Sequence, residues 1–338
     1  MSQSLSLIDG PVSFAGAISL EQGVDGVRPW RLMHDHLDLF EPIFRERAVM
    51  PAGVRVTTVS DTDSIAMEVA PADAARKFDL LVNGVFLSRV ELDAGQTTVQ
   101  FDNLPAGEHR LEIWLPQGAE VTVRNVSIAD GATAAAYVDD RPKWTVYGSS
   151  ITHCGSAAGP SETWPALVAT RFNLNLNCMG YGGNCQMEPI VTRMIRDLPA
   201  DYISTCVGIN VMGAASLNYR TFRAAVIGMI VTARDLHPDT PMVVVSPISN
   251  PPREETPNAA EMTLVKMREA ILDAVESLQK YGDTQLIYQD GLELFGHDLV
   301  HHMPDKLHPD AAGTHVLAER YGDIVMPKLG VTEPVKSA

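Results

Sequence analysis

The chain reads Lys143-Trp144-Thr145-Val146-Tyr147-Gly148-Ser149-Ser150-Ile151-Thr152 at a point where its composition changes. The first five residues form an apolar run with β-branched and aromatic side chains, which predicts a buried strand. This strand ends on a glycine followed by two serines. Parallel sheets bind their ligands at the carboxyl ends of the central strands. We therefore expect Ser150 to lie in a functional site and to act as a nucleophile activated by groups from later in the chain.

After this stretch, short apolar runs alternate with helical patterns, which predicts an α/β domain with a parallel sheet and helices on both faces. The strands are expected at Trp144–Tyr147, Leu174–Cys178, Tyr202–Val207, Met242–Ser246 and Gln285–Tyr288. The helices are expected from about Glu162 with Ser161 as its cap, and over Tyr219–Leu236, Asn258–Lys280 and Asp310–Lys328.

The first part of the chain has a different pattern. Residues 1–135 show short β-type runs separated by turns and no long helical period, which predicts a β-sandwich. Asn83-Gly84, between two apolar runs, predicts a two-residue hairpin. The composition then changes again, so we expect a linker at 136–143 and a second domain over 144–338.

Composition limits the classes of partner. The 338 residues carry a net charge of −16, which argues against nucleic acid or an anionic membrane because phosphate binding requires clustered Lys and Arg. No apolar run reaches the roughly 18 residues of a membrane span. No signal peptide is visible, so a cytoplasmic protein is expected. The four cysteines form no C-x-x-C pair and are expected to be free thiols.

Four separate pieces of the second domain could supply chemistry. They are Gly148–Thr152, the glycine cluster Met179–Asn184, Gly208-Ile209-Asn210, and Asp305-Lys306-Leu307-His308. A serine needs a nearby base, and an acid three residues before a histidine can orient that base through Nδ1. Glycine backbone N–H groups and an Asn amide can donate to a developing oxyanion. Each piece alone is more often an ordinary turn or loop.

Other interpretations of these residues fit the sequence less well. A dinucleotide-binding G-x-G-x-x-G fails because Cys185 occupies the last glycine position. His301 and His302 compete with His308 for the role of base, but neither has an acid at the same spacing. His34-Asp35-His36 could suggest a metal, although two isolated imidazoles are more often ordinary surface or core residues.

Together, the order and placement of the four pieces resemble the SGNH hydrolases, also called the GDSL esterase/lipase superfamily. The resemblance covers residues 143–328 and implies a flavodoxin-like catalytic domain. It implies a nucleophile at Ser150, an acid at Asp305, a base at His308, and an oxyanion hole formed by Ser150, Gly183 and Asn210. Ser149 stands where the family usually has an Asp that is expected to support the loop, and Val211 where an Asp often follows the Asn. The first half looks like the accessory, jelly-roll-like sandwich of some bacterial members.

The resemblance implies a serine esterase that acts through a Ser-His-Asp triad and an acyl-enzyme on a small-molecule or carbohydrate ester, without a metal or cofactor. The missing second glycine of G-x-S-x-G, replaced by Thr152, argues against an α/β-hydrolase. One alternative is an acyltransferase, in which an alcohol rather than water intercepts the acyl-enzyme. The other is a glycan-binding protein with an inactive hydrolase domain.

Overall fold

The computed structural model describes residues 2–334. The chain divides into two compact units. The first comprises residues 1–141 together with 158–166, and the second comprises residues 142–157 together with 167–338. The domain bounds expected from the sequence stay a prediction.

The first unit contains two six-stranded antiparallel sheets. One has the order β3-β4-β11-β6-β9 with β1 also paired to β11, and the other has the order β12-β5-β10-β7-β8 with β2 also paired to β5. The strands are β1 Ser2–Leu5, β2 Ser13–Ala15, β3 Ser19–Gly23, β4 Gly26–Trp30, β5 Arg55–Ser60, β6 Ser64–Val69, β7 Arg76–Val82, β8 Val85–Leu92, β9 Thr98–Asp102, β10 His109–Trp114, β11 Val123–Ala129 and β12 Ala134–Ala135.

Alternation of apolar and polar residues places one face of each sheet in a shared core. Ile65 and Val126 from the first sheet belong to the same buried apolar cluster as Leu80 and Ile113 from the second. The predicted hairpin joins β7 to β8, and its two central residues have positive φ, as a type I′ turn requires.

One feature of this unit was not predicted. A 3-10 helix covers His34–Leu39, and α1 covers Pro42–Ala48. Seven residues make too few turns to produce a visible helical period, and α1 is held by burial of Phe44 and Ala48.

The second unit is built on a five-stranded parallel sheet of order β14-β13-β15-β16-β17. The strands are β13 Lys143–Gly148, β14 Asn175–Gly180, β15 Tyr202–Cys206, β16 Met242–Val245 and β17 Leu286–Gln289. All five predicted strands are observed, with ends displaced by at most two residues. The order reverses at β13, so the carboxyl end of this strand lies at the switch point where such sheets form a crevice.

Helices connect these strands: α2 Ser150–His153, α3 Trp164–Arg171, α4 Pro189–Asp197, α5 Ile209–Ala214, α6 Tyr219–Arg234, α7 Leu264–Lys280, α8 Gly291–Leu294 and α9 Ala311–Lys328. α6 packs against α4 and α7, whereas Gly322 of α9 lies against Phe172 beside α3. Connections between parallel strands are right-handed as a rule, and the strand order reverses at β13, so these two groups are expected on opposite faces of the sheet.

Two predicted helix starts were wrong. α7 begins at Leu264 instead of near Asn258, because Thr263 caps it by accepting from the N–H of Lys266, while the Asn258 side chain closes a turn with the N–H groups of Ala260 and Met262. Ser161 does not cap a helix at Glu162.

α3 starts later than predicted, at Trp164, and Thr163 Oγ1 accepts from the N–H of Ala166. The Ser161 hydroxyl donates instead to the buried Asp79 carboxylate at 2.6 Å, since a charged acceptor binds a hydroxyl more strongly than a backbone amide does.

Within residues 2–334, no helix is both long enough and apolar enough to cross a lipid bilayer.

Candidate active site

Ser150 is the first residue of α2, two residues after the last residue of β13. Two glycines permit α2 to lie against the ends of the strands. A Cβ on Gly148 would stand 2.1 Å from Thr152 Oγ1, and a Cβ on Gly180 would stand 2.3 Å from the backbone nitrogen of His153. The glycine pattern therefore places the half-buried Ser150 at the carboxyl edge of the sheet.

Ser149 supports this turn in the place where an acid is usual. It is the N-cap of α2, and its hydroxyl accepts from the N–H of Ile151 at 3.2 Å. Its carbonyl accepts from the N–H groups of Thr152 and His153. The Ser149 side chain thus satisfies one free N–H group of the first turn, which is the usual function of a capping side chain.

The structure brings Ser150, His308 and Asp305 together. Ser150 Oγ lies 2.8 Å from His308 Nε2, and His308 Nδ1 lies 2.6 Å from Asp305 Oδ2. An imidazole bonded in this way to a carboxylate donates from Nδ1 and offers Nε2 as the acceptor for the serine proton. The arrangement has the geometry of a nucleophile, a base and an orienting acid, whose catalytic roles stay a prediction.

Asp305 holds its own loop in shape. Its Oδ1 accepts from the backbone N–H groups of Leu307 at 2.9 Å and of His308 at 2.7 Å. Partial desolvation acts to raise the pKa of Asp305, but the hydrogen bonds from the His308 backbone, the imidazole and Leu307 outweigh it and lower the pKa to about 2. Asp305 therefore remains ionised beside the imidazole at neutral pH.

Two further residues contact the backbone on either side of His308. Asn250 Nδ2 donates to the carbonyl of Lys306 at 2.6 Å, and Ser156 Oγ donates to the carbonyl of Pro309 at 2.5 Å. Sequence reasoning identified neither residue. The usable signal for Asn250 was its place just after β16, at the sheet edge where Asn210 follows β15.

Gly183 and Asn210 belong to one connected loop system. Gly183 is exposed, has a φ of +76° and has no atom within 4 Å of its would-be Cβ, so the backbone there faces open space. Asn210 Oδ1 accepts from the N–H of Cys185 at 2.9 Å. Since a backbone N–H only donates, this contact fixes the orientation of the amide and leaves Nδ2 to donate elsewhere.

The other candidate groups have separate surroundings. Among the described residues, His308 is the histidine hydrogen-bonded to Ser150, while His302 lies 3.3 Å from Asp310, the cap of α9. His34 lies beside Asp35, and residues 2–334 contain no group of three or more metal-ligating side chains.

The four cysteines are free thiols. Burial raises the pKa of the Cys206 thiol to about 12 and that of Cys185 still further, so both are protonated at neutral pH. The thiols beside the Asn210 loop are therefore not reactive thiolates.

Comparison with known proteins identifies the family. Residues 142–328 match the GDSL-like lipase/acylhydrolase family, which is more than half of the chain. The chain belongs to this family. The resemblance seen in the sequence motifs is thereby confirmed, and as a member the chain is an esterase or acylhydrolase. Residues 12–124 match the N-terminal domain of SsfX3.

Solved structures of similar proteins cover nearly the whole chain. A salicylyl-acyltransferase, SsfX3, from a tetracycline biosynthetic pathway is 32% identical with a TM-score of 0.90 over 98% of both chains. A putative GDSL-like lipase from Bacteroides ovatus is 20% identical with a TM-score of 0.78 over 99% of both chains. An acetyl xylan esterase from the rumen bacterium Butyrivibrio proteoclasticus is 12% identical, with a TM-score of 0.63 over 98% of both chains, and shares the fold. No curated protein matches the sequence.

Proposed function

We propose that this family member is a serine esterase that hydrolyses a short-chain carboxylic ester, such as an acetyl group on a sugar or small metabolite. The observation that carries the proposal is the hydrogen-bonded series Ser150–His308–Asp305, with contacts of 2.8 and 2.6 Å. A serine with a purely structural role would not need an imidazole at its hydroxyl and a carboxylate on the other nitrogen of that imidazole. Similarity to carbohydrate esterases favours a sugar ester as the substrate. In this proposal, the antiparallel unit is an accessory jelly-roll-like sandwich.

In this mechanism, Ser150 Oγ attacks the ester carbonyl while His308 Nε2 takes the hydroxyl proton. Asp305 holds the tautomer and stabilises the imidazolium. The N–H groups of Ser150 and Gly183 and the Asn210 amide donate to the tetrahedral oxyanion. His308 then gives its proton to the leaving alcohol. Water next attacks the acyl-enzyme while His308 takes one of its protons, and that proton passes to Ser150 Oγ as the acid is released.

The test is Ser150→Ala, with Ser277→Ala as the control because Ser277 bonds Arg223 in a region that has no part in the proposal. Turnover of a short-chain aryl ester is expected to fall by about 10⁴-fold or more in Ser150→Ala only, since the nucleophile is lost. A fluorophosphonate should label wild-type Ser150 and leave the variant unlabelled. Retained turnover with a normal circular-dichroism spectrum would place the nucleophile elsewhere.

A second candidate is an acyltransferase that uses the same acyl-enzyme. It is favoured by one observation, the 32% identity over nearly the full length to a salicylyl-acyltransferase. The two functions differ in whether water or an alcohol attacks the acyl-enzyme. Turnover with rising concentrations of an alcohol or sugar acceptor separates them: a growing fraction of new ester supports a transferase, and free acid as sole product supports a hydrolase.

A further inference from the structure

The carbonyl of Lys306 is held by a side chain from a distant loop. Asn250 is 3% exposed and lies after β16, and its Nδ2 donates to this carbonyl at 2.6 Å. Lys306 stands between Asp305 and His308, so the contact joins the loop after β16 to the middle of the Asp-x-x-His turn.

This turn has a backbone shape that needs support. Lys306 has a φ of +63°, the left-handed region that a residue with a long side chain rarely occupies. Its N–H donates to Met303 at 2.9 Å, and its carbonyl accepts from Asn250. Hydrogen bonds on both sides of Lys306 thus hold the conformation that directs the Asp305 carboxylate and the His308 imidazole toward each other.

Asn250 is itself anchored to the framework of the second unit. Its backbone N–H donates to Glu254 Oε1 at 2.9 Å, and Glu254 accepts two hydrogen bonds from Arg268 of α7, at 2.6 and 3.0 Å. Arg268 also donates to the carbonyl of Pro247 at 2.9 Å. A two-point guanidinium contact restricts both partners, so the Asn250 backbone is fixed relative to α7 and the end of β16.

The side-chain oxygen of Asn250 has different surroundings from the side-chain nitrogen. Oδ1 is buried and accepts no hydrogen bond from a described protein group. Leaving a buried acceptor unpaired is unfavourable, and an apolar side chain of the same size would avoid that loss. The hydrogen bond that the Asn250 side chain makes to a described protein group is therefore the one from Nδ2.

We propose that Asn250 is a positioning residue for the base His308. Its hydrogen bond to the Lys306 carbonyl keeps His308 Nδ1 hydrogen-bonded to Asp305 and His308 Nε2 hydrogen-bonded to Ser150. Asn250 does not itself contact the reacting atoms. This inference rests on the proposed function in that it takes His308 as the base.

The test is Asn250→Leu, which keeps most of the side-chain volume and removes both polar atoms. The control is Gln279→Leu, because Gln279 Nε2 makes the same kind of bond, to the carbonyl of Leu286 at 2.8 Å, in a region that has no part in the proposal. We expect kcat to fall by about 10- to 100-fold in Asn250→Leu with KM changed less than about threefold, because small misplacement of a catalytic group slows the chemical step. Gln279→Leu should keep wild-type values.

A second readout does not depend on turnover. In the Ser150→Ala background, the proton on His308 Nδ1 should give a low-field proton NMR resonance from its short bond to Asp305. Adding Asn250→Leu should broaden or shift this resonance, whereas adding Gln279→Leu should not. If Asn250→Leu fails to fold, Asn250→Ser provides the same measurements with a smaller change.

Two results would overturn the inference: a kcat for Asn250→Leu equal to that of Gln279→Leu, or an unchanged resonance. Failure of the proposed function is recognised separately. In that case Ser150→Ala retains activity, while the resonance still reports whether Asn250 holds the His308–Asp305 contact.

Discussion

Two aspartates of this molecule each accept several hydrogen bonds, but their side-chain partners differ. Asp79 of β7 is completely buried in the first unit. It accepts from Arg89 at 2.6 and 2.9 Å and from the backbone and hydroxyl of Ser161 at 2.9 and 2.6 Å. Arg89 also donates to Glu162 Oε1 and to the carbonyl of Ala158, so Asp79 belongs to a network of ion pairs and hydrogen bonds within this unit.

Asp305 of the second unit is also multiply bonded, but its side chain is 52% exposed and its main side-chain partner is an imidazole. The second nitrogen of that imidazole, Nε2, lies 2.8 Å from Ser150 Oγ. A guanidinium stays protonated at any physiological pH, whereas an imidazole gains and loses a proton near neutrality. The comparison teaches that the partner distinguishes the two carboxylates: Arg89 holds Asp79 in a network of ion pairs, whereas His308 gives Asp305 the geometry of the acid in the proposed triad.

The largest expected effect is on activity. Asp305→Ala should lower kcat for an aryl ester by about 10³- to 10⁴-fold, because the imidazole loses the group that sets its tautomer and stabilises its charge. Its free energy of unfolding should change by less than about 1 kcal/mol, since the side chain is half exposed. Asp298→Ala is the matched control, as Asp298 is an exposed carboxylate bonded to Arg320. An equal loss of kcat in both variants would break the comparison.

The next effect is on stability. Asp79→Ala removes the buried acceptor of the Ser161 hydroxyl and one of the two carboxylates that bind Arg89, and we expect a loss of about 3 kcal/mol in the free energy of unfolding measured with urea. The kcat per folded molecule should stay close to that of wild type. Asp102→Ala, at an exposed carboxylate bonded to Gln100, should change stability by less than about 0.5 kcal/mol. A large fall in kcat without a fall in stability would show that Asp79 is not merely structural.

The smallest effect is a dependence of stability on pH. The pKa of Asp305 is lowered from 3.8 to about 2 in the folded protein, so the unfolded chain binds the proton more readily. Its contribution is fully present above about pH 4 and disappears as the pH falls through about 2. Solvent screening keeps it below about 1 kcal/mol.

The measurement for this effect is urea denaturation of wild type and Asp305→Asn at pH 5 and at the lowest pH where both refold. The difference in the free energy of unfolding between the two proteins should shrink with acid. A difference that grows would contradict the lowered pKa.

Local pattern predicted much of this architecture. Apolar runs ending in glycine or polar residues predicted the five parallel strands, because burial on both faces requires continuous apolar sequence. Where two local groups competed, the prediction was wrong. Ser161 looked like a helix cap but donates to Asp79, which is 82 residues away in the chain, and Asn258 closes a turn instead of opening α7.

By itself, the sequence determined the five parallel strands, the family, and the chemical types present at the ends of the strands. Only the tertiary structure decided which of those groups meet. Ser150 and His308 are 158 residues apart in the chain, and Asn250 and Lys306 are 56 residues apart, yet each pair is hydrogen-bonded. The reason is physical. Periodicity and turn chemistry depend on near neighbours in the chain, whereas a hydrogen bond depends on a distance and an angle that the packing of the whole unit sets.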